Sequence, residues 1–229
     1  RTLATVSENA LYFSRAEQQS AYQYLQNFCG TQINKGKAEF TRHVFDLLKI
    51  QLEKGLLFEQ DYLPEWHYKN IVTLGLRLKE RDWVYQFIKQ YQTALPLESR
   101  ENAYRFNRAA YAYDIGDYDK VLELLLQVDY TNIQYSLGAR WLLLRTYFEL
   151  EESIAFFALC DSFRLYLQRH QLIAAFKKEG HEQAIRLVKK LFQLKLELPY
   201  QKKEKTVKEM AKLKVEILTT PTVFNRSWL

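Results

Sequence analysis

The amino-acid sequence predicts an all-α protein, a right-handed solenoid of about nine or ten helices arranged as antiparallel pairs. Only 7 glycines and 4 prolines occur in 229 residues, so long helices fit the composition better than many short strands. Three stretches also repeat their apolar residues at a spacing of 35 residues. A repeat of that length indicates stacked helix pairs, each of which buries its apolar face against its neighbours.

The first predicted element is an N-terminal helix pair in residues 14–55. Apolar residues at steps of three and four positions predict the buried stripe of its first helix, namely Ala21, Tyr24, Leu25 and Phe28. The two helices are separated near Gly30 and Gly36. Pro64 then suits the first position of the following helix, because a proline there loses no helical hydrogen bond.

Three repeat units are predicted in residues 64–170. Their shared apolar positions are Ile71, Phe106 and Trp141, then Leu74, Ala109 and Leu144, then Leu78, Tyr113 and Phe148. We expect Trp141, Phe106 and Leu78 to be mostly buried between helices. Asp82 and Asp117 are predicted to cap the second helices of their units, because a carboxylate accepts hydrogen bonds from N–H groups of the first turn.

The middle unit resembles a tetratricopeptide repeat. The likeness rests on residues 107–125, with Gly116-Asp117-Tyr118 at the turn, where that family commonly has Gly-Asp-Tyr. The period here is 35 residues rather than the family's 34. The whole chain, including the Trp228-Leu229 tail, also resembles a group of bacterial helical proteins without an assigned activity. These resemblances imply a tetratricopeptide-like helical fold.

The last predicted element, residues 171–229, is a basic pair of helices that caps the solenoid. It contains 13 Lys or Arg against 6 Asp or Glu, which accounts for the net charge of +6 of the whole chain. The division into 14–55, 64–170 and 171–229 is interpreted as one domain spanning 1–229. Glutamates between the lysines, such as Glu204 four residues before Lys208, predict a solvated face with local pairing. The alternative is binding to nucleic acid or to an anionic membrane surface through these helices.

No pattern of catalytic residues, metal ligands or cofactor-binding loops is found, and the chain is predicted not to be an enzyme. His181-Glu182 begins like the zinc motif HExxH, but position 185 is Ile, so the second imidazole is lacking. The other histidines, His43, His67 and His170, are predicted to be partly exposed residues of helices or connectors. Cys29 and Cys160 are predicted to be reduced apolar residues within helices.

The predicted location is the cytoplasm. The two cysteines suit a reducing compartment. In addition, no apolar run approaches the ~18 residues that a membrane span requires.

The predicted function is protein–protein interaction, as a module or scaffold. In tetratricopeptide proteins the first helices of the units line a concave groove that holds a peptide or a partner's helix, and the resemblance implies such a groove here. The residues predicted to contact a protein or peptide partner in this groove are Lys69, Lys79, Tyr104, Asn107, Tyr111 and Asp114. Tyrosines beside an amide and lysines are suitable contact residues, and all six are expected to be partly exposed.

Overall fold

The structure, a computed structural model, describes residues 12–129, 133–197, 199–200, 203–226 and 228–229. These residues form ten α-helices and no strand. In chain order the helices are α1 (Arg15–Asn34), α2 (Phe40–Glu53), α3 (Glu65–Arg77), α4 (Arg81–Gln90), α5 (Arg100–Ile115), α6 (Tyr118–Leu125), α7 (Ile133–Glu149), α8 (Ser153–Arg169), α9 (Ala175–Glu197) and α10 (Lys203–Thr219). The prediction of an all-α fold is confirmed.

The chain divides into two compact units, Arg1–Val128 and Asp129–Leu229. In the first unit each helix from α1 to α6 packs against the next, and α3 also packs against α5. In the second unit α7 packs against α8, α8 against α9, and α9 against α10. The boundary falls inside the predicted repeat region 64–170, and the organisation as one domain stays a prediction.

Helix α1 begins at a capping box, in which the Ser14 hydroxyl accepts a hydrogen bond from the Glu17 N–H while the Glu17 carboxylate accepts one from the Ser14 N–H. The predicted apolar stripe of this helix is only partly buried, because Tyr24 is 71% exposed and Phe28 is 48% exposed, whereas Leu25 packs against the core. The buried residues are Tyr22 and Cys29, seven positions apart, which belong to a core cluster with α2. The face of α1 that turns inward is set by its packing on α2 and is rotated from the predicted one.

The first helix of each predicted unit ends in the same type of turn. Lys79, Gly116 and Glu151 have positive φ angles of 61°, 82° and 57°. In each case this residue donates its N–H to the carbonyl three positions back, and the next residue donates to the carbonyl five positions back. Glycine adopts this backbone without strain, whereas lysine and glutamate do so at a cost. The repeated turn agrees with the repeat seen in the sequence.

The predicted alignment of the first turn is displaced by two residues. The Asp117 carboxylate accepts a hydrogen bond from the Lys120 N–H at 3.2 Å, which confirms its role as a cap. The residue at the same position before α4 is Glu80, which makes no side-chain capping bond, and Asp82 lies inside the first helical turn. Helix α3 is three residues shorter than α5, so its turn comes earlier than a constant spacing of 35 predicts.

The shared apolar positions lie in the cores of the two units. Phe106 and Trp141 are buried, as predicted, and Ile71 is buried too. The prediction for Leu78 is wrong, since this residue lies at the C-terminal cap of α3 and is only half-buried. Gly75 makes room for a neighbouring side chain, since a Cβ at this position would lie 2.4 Å from Val84 Cγ2. A small residue here permits close packing of α4 on α3.

Phenylalanines from two helices, α8 and α9, form the centre of the second unit. Phe156, Phe163 and Phe192 are fully buried, and Phe156 and Phe192 have ring centroids 4.1 Å apart. The segment after α10 returns to this core, where the Trp228 ring lies 5.2 Å from the Phe148 ring. The predicted C-terminal pair of helices is therefore joined to the core by the residues that follow it.

Gly180 provides the space for this returning segment. A Cβ on Gly180 would lie 2.5 Å from Phe224 Cδ2, and the Phe224 N–H donates a hydrogen bond to the Gly180 carbonyl. Glycine within a helix costs about 1 kcal/mol relative to alanine, and at this position the close approach of an aromatic ring offsets that cost.

Candidate protein-interaction surface

The six predicted contact residues all lie in the first unit, on two helices that pack together and on the turn after the first of them. Lys69 is in α3, and Lys79 occupies the turn that follows α3. The other four, Tyr104, Asn107, Tyr111 and Asp114, are in α5. Their role in binding a partner stays a prediction, but their surroundings are now defined.

Asp114 joins the end of α5 to the turn between α3 and α4. It accepts hydrogen bonds from Lys79 Nζ at 2.8 Å and from Arg81 Nε at 2.6 Å, and its carbonyl oxygen accepts one from Arg81 Nη2 at 2.7 Å. Burial raises the pKa of Asp114, but the hydrogen bonds from Lys79 and Arg81 outweigh burial and hold that pKa below its usual value. Lys79 and Asp114 therefore contact each other and connect helices of the fold.

Asn107 is not partly exposed as expected, since only 1% of its surface is accessible. Its amide nitrogen donates to the Ala103 carbonyl one turn earlier at 2.8 Å, and its Oδ1 has no hydrogen-bond partner among the described residues. The reason for its burial is that α5 packs against α3, α4 and α6, so little of its circumference reaches solvent.

Lys69 lies partly buried against an aromatic ring. Its Nζ is 5.1 Å from the centroid of the buried Phe106 ring, within the range of a cation–π interaction. Burial lowers the pKa of Lys69, and the negative charge of Glu65 acts in the opposite direction. This lysine therefore contributes to the packing of α3 on α5.

Tyr104 and Tyr111 belong to a half-exposed group that also includes Arg108 of α5 and Tyr85 and Lys89 of α4. We call these five residues the tyrosine cluster. The Arg108 Cζ lies 5.2 Å from the Tyr85 ring centroid and 5.9 Å from that of Tyr104. The Tyr85 and Tyr111 rings are 5.3 Å apart, and Lys89 Nζ is 5.3 Å from the Tyr85 ring. The rings and cations therefore hold one another in place.

The cations of the tyrosine cluster carry no compensating carboxylate. Neither Arg108 nor Lys89 forms a salt bridge with any residue in the described part of the chain. The cluster is consequently a positively charged surface with aromatic rings that are accessible in part. Tyrosine and arginine are the residue types that most often dominate the binding energy of protein interfaces.

Sequence reasoning missed Tyr85, Lys89 and Arg108. A signal was present, because Tyr104, Arg108 and Tyr111 are spaced by four and three residues on one face of a helix. Tyr85 and Lys89 have the same four-residue spacing on α4. What the sequence does not indicate is that these two faces meet, since that depends on the packing of α4 against α5.

The histidine and cysteine side chains considered next are buried. His67 is buried, contrary to its predicted partial exposure, and desolvation lowers its pKa to about 4. Both cysteines are free and buried in helices, as predicted, and desolvation raises the pKa of Cys160 to about 12.

No group of three or more metal-ligating side chains occurs within the described ranges. Of the helices described, none is both long and apolar enough to cross a membrane.

Comparisons of the chain with protein families, with curated proteins and with solved structures found no match.

Proposed function

We propose that the chain is a non-enzymatic protein-interaction module, a helical-repeat scaffold of tetratricopeptide-like build, and that its first unit binds a protein or peptide partner. The observation that carries this proposal is the tyrosine cluster, where the half-exposed Tyr85 and Tyr104 contact Arg108 and Tyr111 packs on Tyr85. Rings held in place by their neighbours lose little conformational freedom on binding, which is the property of contact residues that contribute most to affinity.

The proposed partner presents an acidic segment. Arg108 and Lys89 lack carboxylate partners in the described part of the chain, so a partner's Asp or Glu would complete the charge balance of the cluster. Of the six residues predicted for a concave groove, Tyr104 and Tyr111 carry the proposal. Lys79 and Asp114 support it indirectly, because their salt bridge positions α5.

The test is the double substitution Tyr104→Ala and Tyr111→Ala, followed by a quantitative pull-down from the native host with mass spectrometry. We expect specific partners to be recovered at least about tenfold less efficiently, since truncation of one interface hot spot costs about 2 kcal/mol. The matched control is Tyr24→Ala with Tyr62→Ala, which removes two exposed tyrosines elsewhere in the same unit. Circular dichroism and urea denaturation establish that both variants are folded.

Retention of every specific partner by the folded Tyr104 and Tyr111 variant would contradict the proposal. A second arm tests the chemistry of the partner with Arg108→Gln. This change is expected to weaken binding and to reduce its dependence on salt. Arg164→Gln, at an exposed position of α8, is its control and is expected to have no effect.

A further inference from the structure

Helix α10 carries two apolar stripes, and only one of them is packed. Leu213 and Ile217 are buried together with Thr206, and α10 packs against α9. The second stripe is exposed and consists of Val207, Met210, Ala211, Val215 and Leu218. At about 100° per residue, the centres of the two stripes lie about 120° apart around the helix axis. The second stripe therefore faces away from α9.

The exposed stripe is large for a helix of 17 residues. Val207 is 61% exposed and Leu218 is 62% exposed, and they lie 11 positions apart, about three helical turns. Apolar residues scattered singly over a surface are ordinary, whereas a continuous stripe along a helix marks a contact with something else.

Four lysines of α10 are exposed, namely Lys205, Lys208, Lys212 and Lys214, together with Glu204. At about 100° per residue, Lys214 lies within the second stripe and Lys208 at its edge, while the other two lysines lie farther round the helix. Among the described residues none of the four forms a salt bridge, and the predicted local pairing of Glu204 with Lys208 is not present. Glu216 of α10 is instead paired with Arg186 and Lys190 of α9. The negative charge of Glu216 is thereby neutralised from within the second unit.

We propose that α10 docks on an anionic lipid surface, with its second apolar stripe at the level of the headgroups and with Lys208 and Lys214 in contact with their phosphates and carboxylates. A basic amphipathic helix with exposed apolar residues lies in the plane of such an interface. Each lysine near an anionic leaflet adds to the attraction. This surface belongs to the second unit and does not depend on the tyrosine cluster of the first.

The apolar stripe distinguishes a lipid surface from the other possible occupants. Binding of nucleic acid through phosphate contacts requires cations but no continuous apolar stripe. A second copy of the chain would cover the stripe, but it would bring two sets of four unpaired lysines together, and like charges at an interface oppose association.

The experiment measures binding of the full chain to vesicles by co-sedimentation. The vesicles contain phosphatidylcholine alone or phosphatidylcholine with about one third phosphatidylserine. We expect binding to the second kind only. Val207→Ser with Leu218→Ser removes apolar surface without touching the packed stripe, and Lys208→Gln with Lys214→Gln removes charge. Each pair is expected to lower the partition coefficient at least about tenfold.

Matched controls carry the same chemical changes elsewhere. Ile154→Ser with Leu165→Ser alters two exposed positions of α8, and Lys35→Gln with Lys37→Gln removes two exposed charges from the first unit. Both controls are expected to stay within about twofold of the wild type, because neither touches the stripe or its lysines.

Three outcomes would overturn the inference. The first is absence of wild-type binding to phosphatidylserine vesicles. The second is a pair of results: the apolar variant binds vesicles as the wild type does, and the lysine variant binds neither vesicles nor a single-stranded DNA oligonucleotide. This pair would indicate an electrostatic nucleic-acid site. The third is a wild-type dimer in light scattering that the apolar variant converts to monomer, which would make the stripe a contact between copies.

Discussion

Each compact unit contains a buried histidine beside a tryptophan, and the two pairs are built differently. In the second unit Trp141 Nε1 donates a hydrogen bond to His181 Nδ1 at 2.7 Å, and both residues are buried. In the first unit Trp66 lies against its chain neighbour His67 with ring centroids 3.4 Å apart, and Trp66 is 51% exposed. The Nδ1 atom of His67 is buried and has no partner among the described residues.

The difference shows how a contact between distant residues changes the role of a side chain. Trp141 and His181 are 40 positions apart, so their hydrogen bond requires α7 and α9 to meet. The His181 ring is further held by Phe163 and Phe224, with centroids 5.8 and 4.6 Å away. Trp66 and His67 are adjacent in the chain, and their contact stabilises no packing between distant elements. The hydrogen bond between Trp141 and His181 joins two helices of the core, whereas the contact between Trp66 and His67 involves a half-exposed tryptophan.

The largest expected effect is on stability, and it separates the two tryptophans. Trp141→Ala is expected to lower the free energy of unfolding by about 3–5 kcal/mol, because it leaves a cavity and removes the donor to His181. Trp66→Ala is expected to cost about 1 kcal/mol or less, since half of that side chain is already exposed. Urea denaturation measures both. Equal losses would show that the tryptophans do not differ as described.

The second effect is a dependence of stability on pH that both histidines share. Burial is the main cause that lowers the pKa of His67 and of His181 from 6.5 to about 4, with Lys177 also contributing at His181. At pH values between 4 and 6.5, these two histidines bind more protons in the unfolded chain than in the folded protein. The free energy of unfolding therefore falls as the pH is lowered from about 6.5 towards 4, by about 2 kcal/mol per pH unit for the two residues together.

Denaturation at several pH values between 5 and 7 tests this dependence. His67→Gln is expected to remove about half of the slope, because glutamine does not titrate. His43→Gln, which makes the same substitution at an exposed histidine of α2, serves as the control. A slope that His67→Gln does not alter would mean that His67 is protonated in the folded protein much as in the unfolded chain.

The smallest expected effects on stability concern three glycines within helices, which differ in the atoms that surround them. Gly75→Ala places a Cβ 2.4 Å from Val84 and 3.1 Å from Phe45, both fully buried, and is expected to cost about 1–3 kcal/mol. Gly180→Ala meets the ring of Phe224, which is only half-buried and can shift, so the expected cost is about 1 kcal/mol or less.

Gly30→Ala is the control of this series, because no atom lies within 4 Å of its added Cβ. The substitution is expected to stabilise the protein by about 0.5–1 kcal/mol through helix propensity alone. Thermal denaturation ranks the three variants. If Gly75→Ala also stabilised the protein, the close contact between α3 and α4 would be incorrect.

The candidate surfaces were only partly predictable. Tyr104 and Tyr111 were identified through the repeat and the family resemblance, but their neighbours Tyr85 and Lys89 come from a helix that the predicted groove did not include. Asn107 was placed at the surface because the family resemblance implied a groove lined by the first helices, and its burial follows from the three helices that surround α5.

The sequence by itself determined the all-α fold, the positions of most helices and the burial of Phe106 and Trp141. These properties follow from local causes, namely helical periodicity, turn residues and the capping carboxylate of Asp117. Only the tertiary structure decided which stripe of α1 is buried and that one stripe of α10 remains exposed. It also brought Trp141 to His181. A helix with apolar residues on two sides can bury either side, and the choice depends on which distant helix covers it.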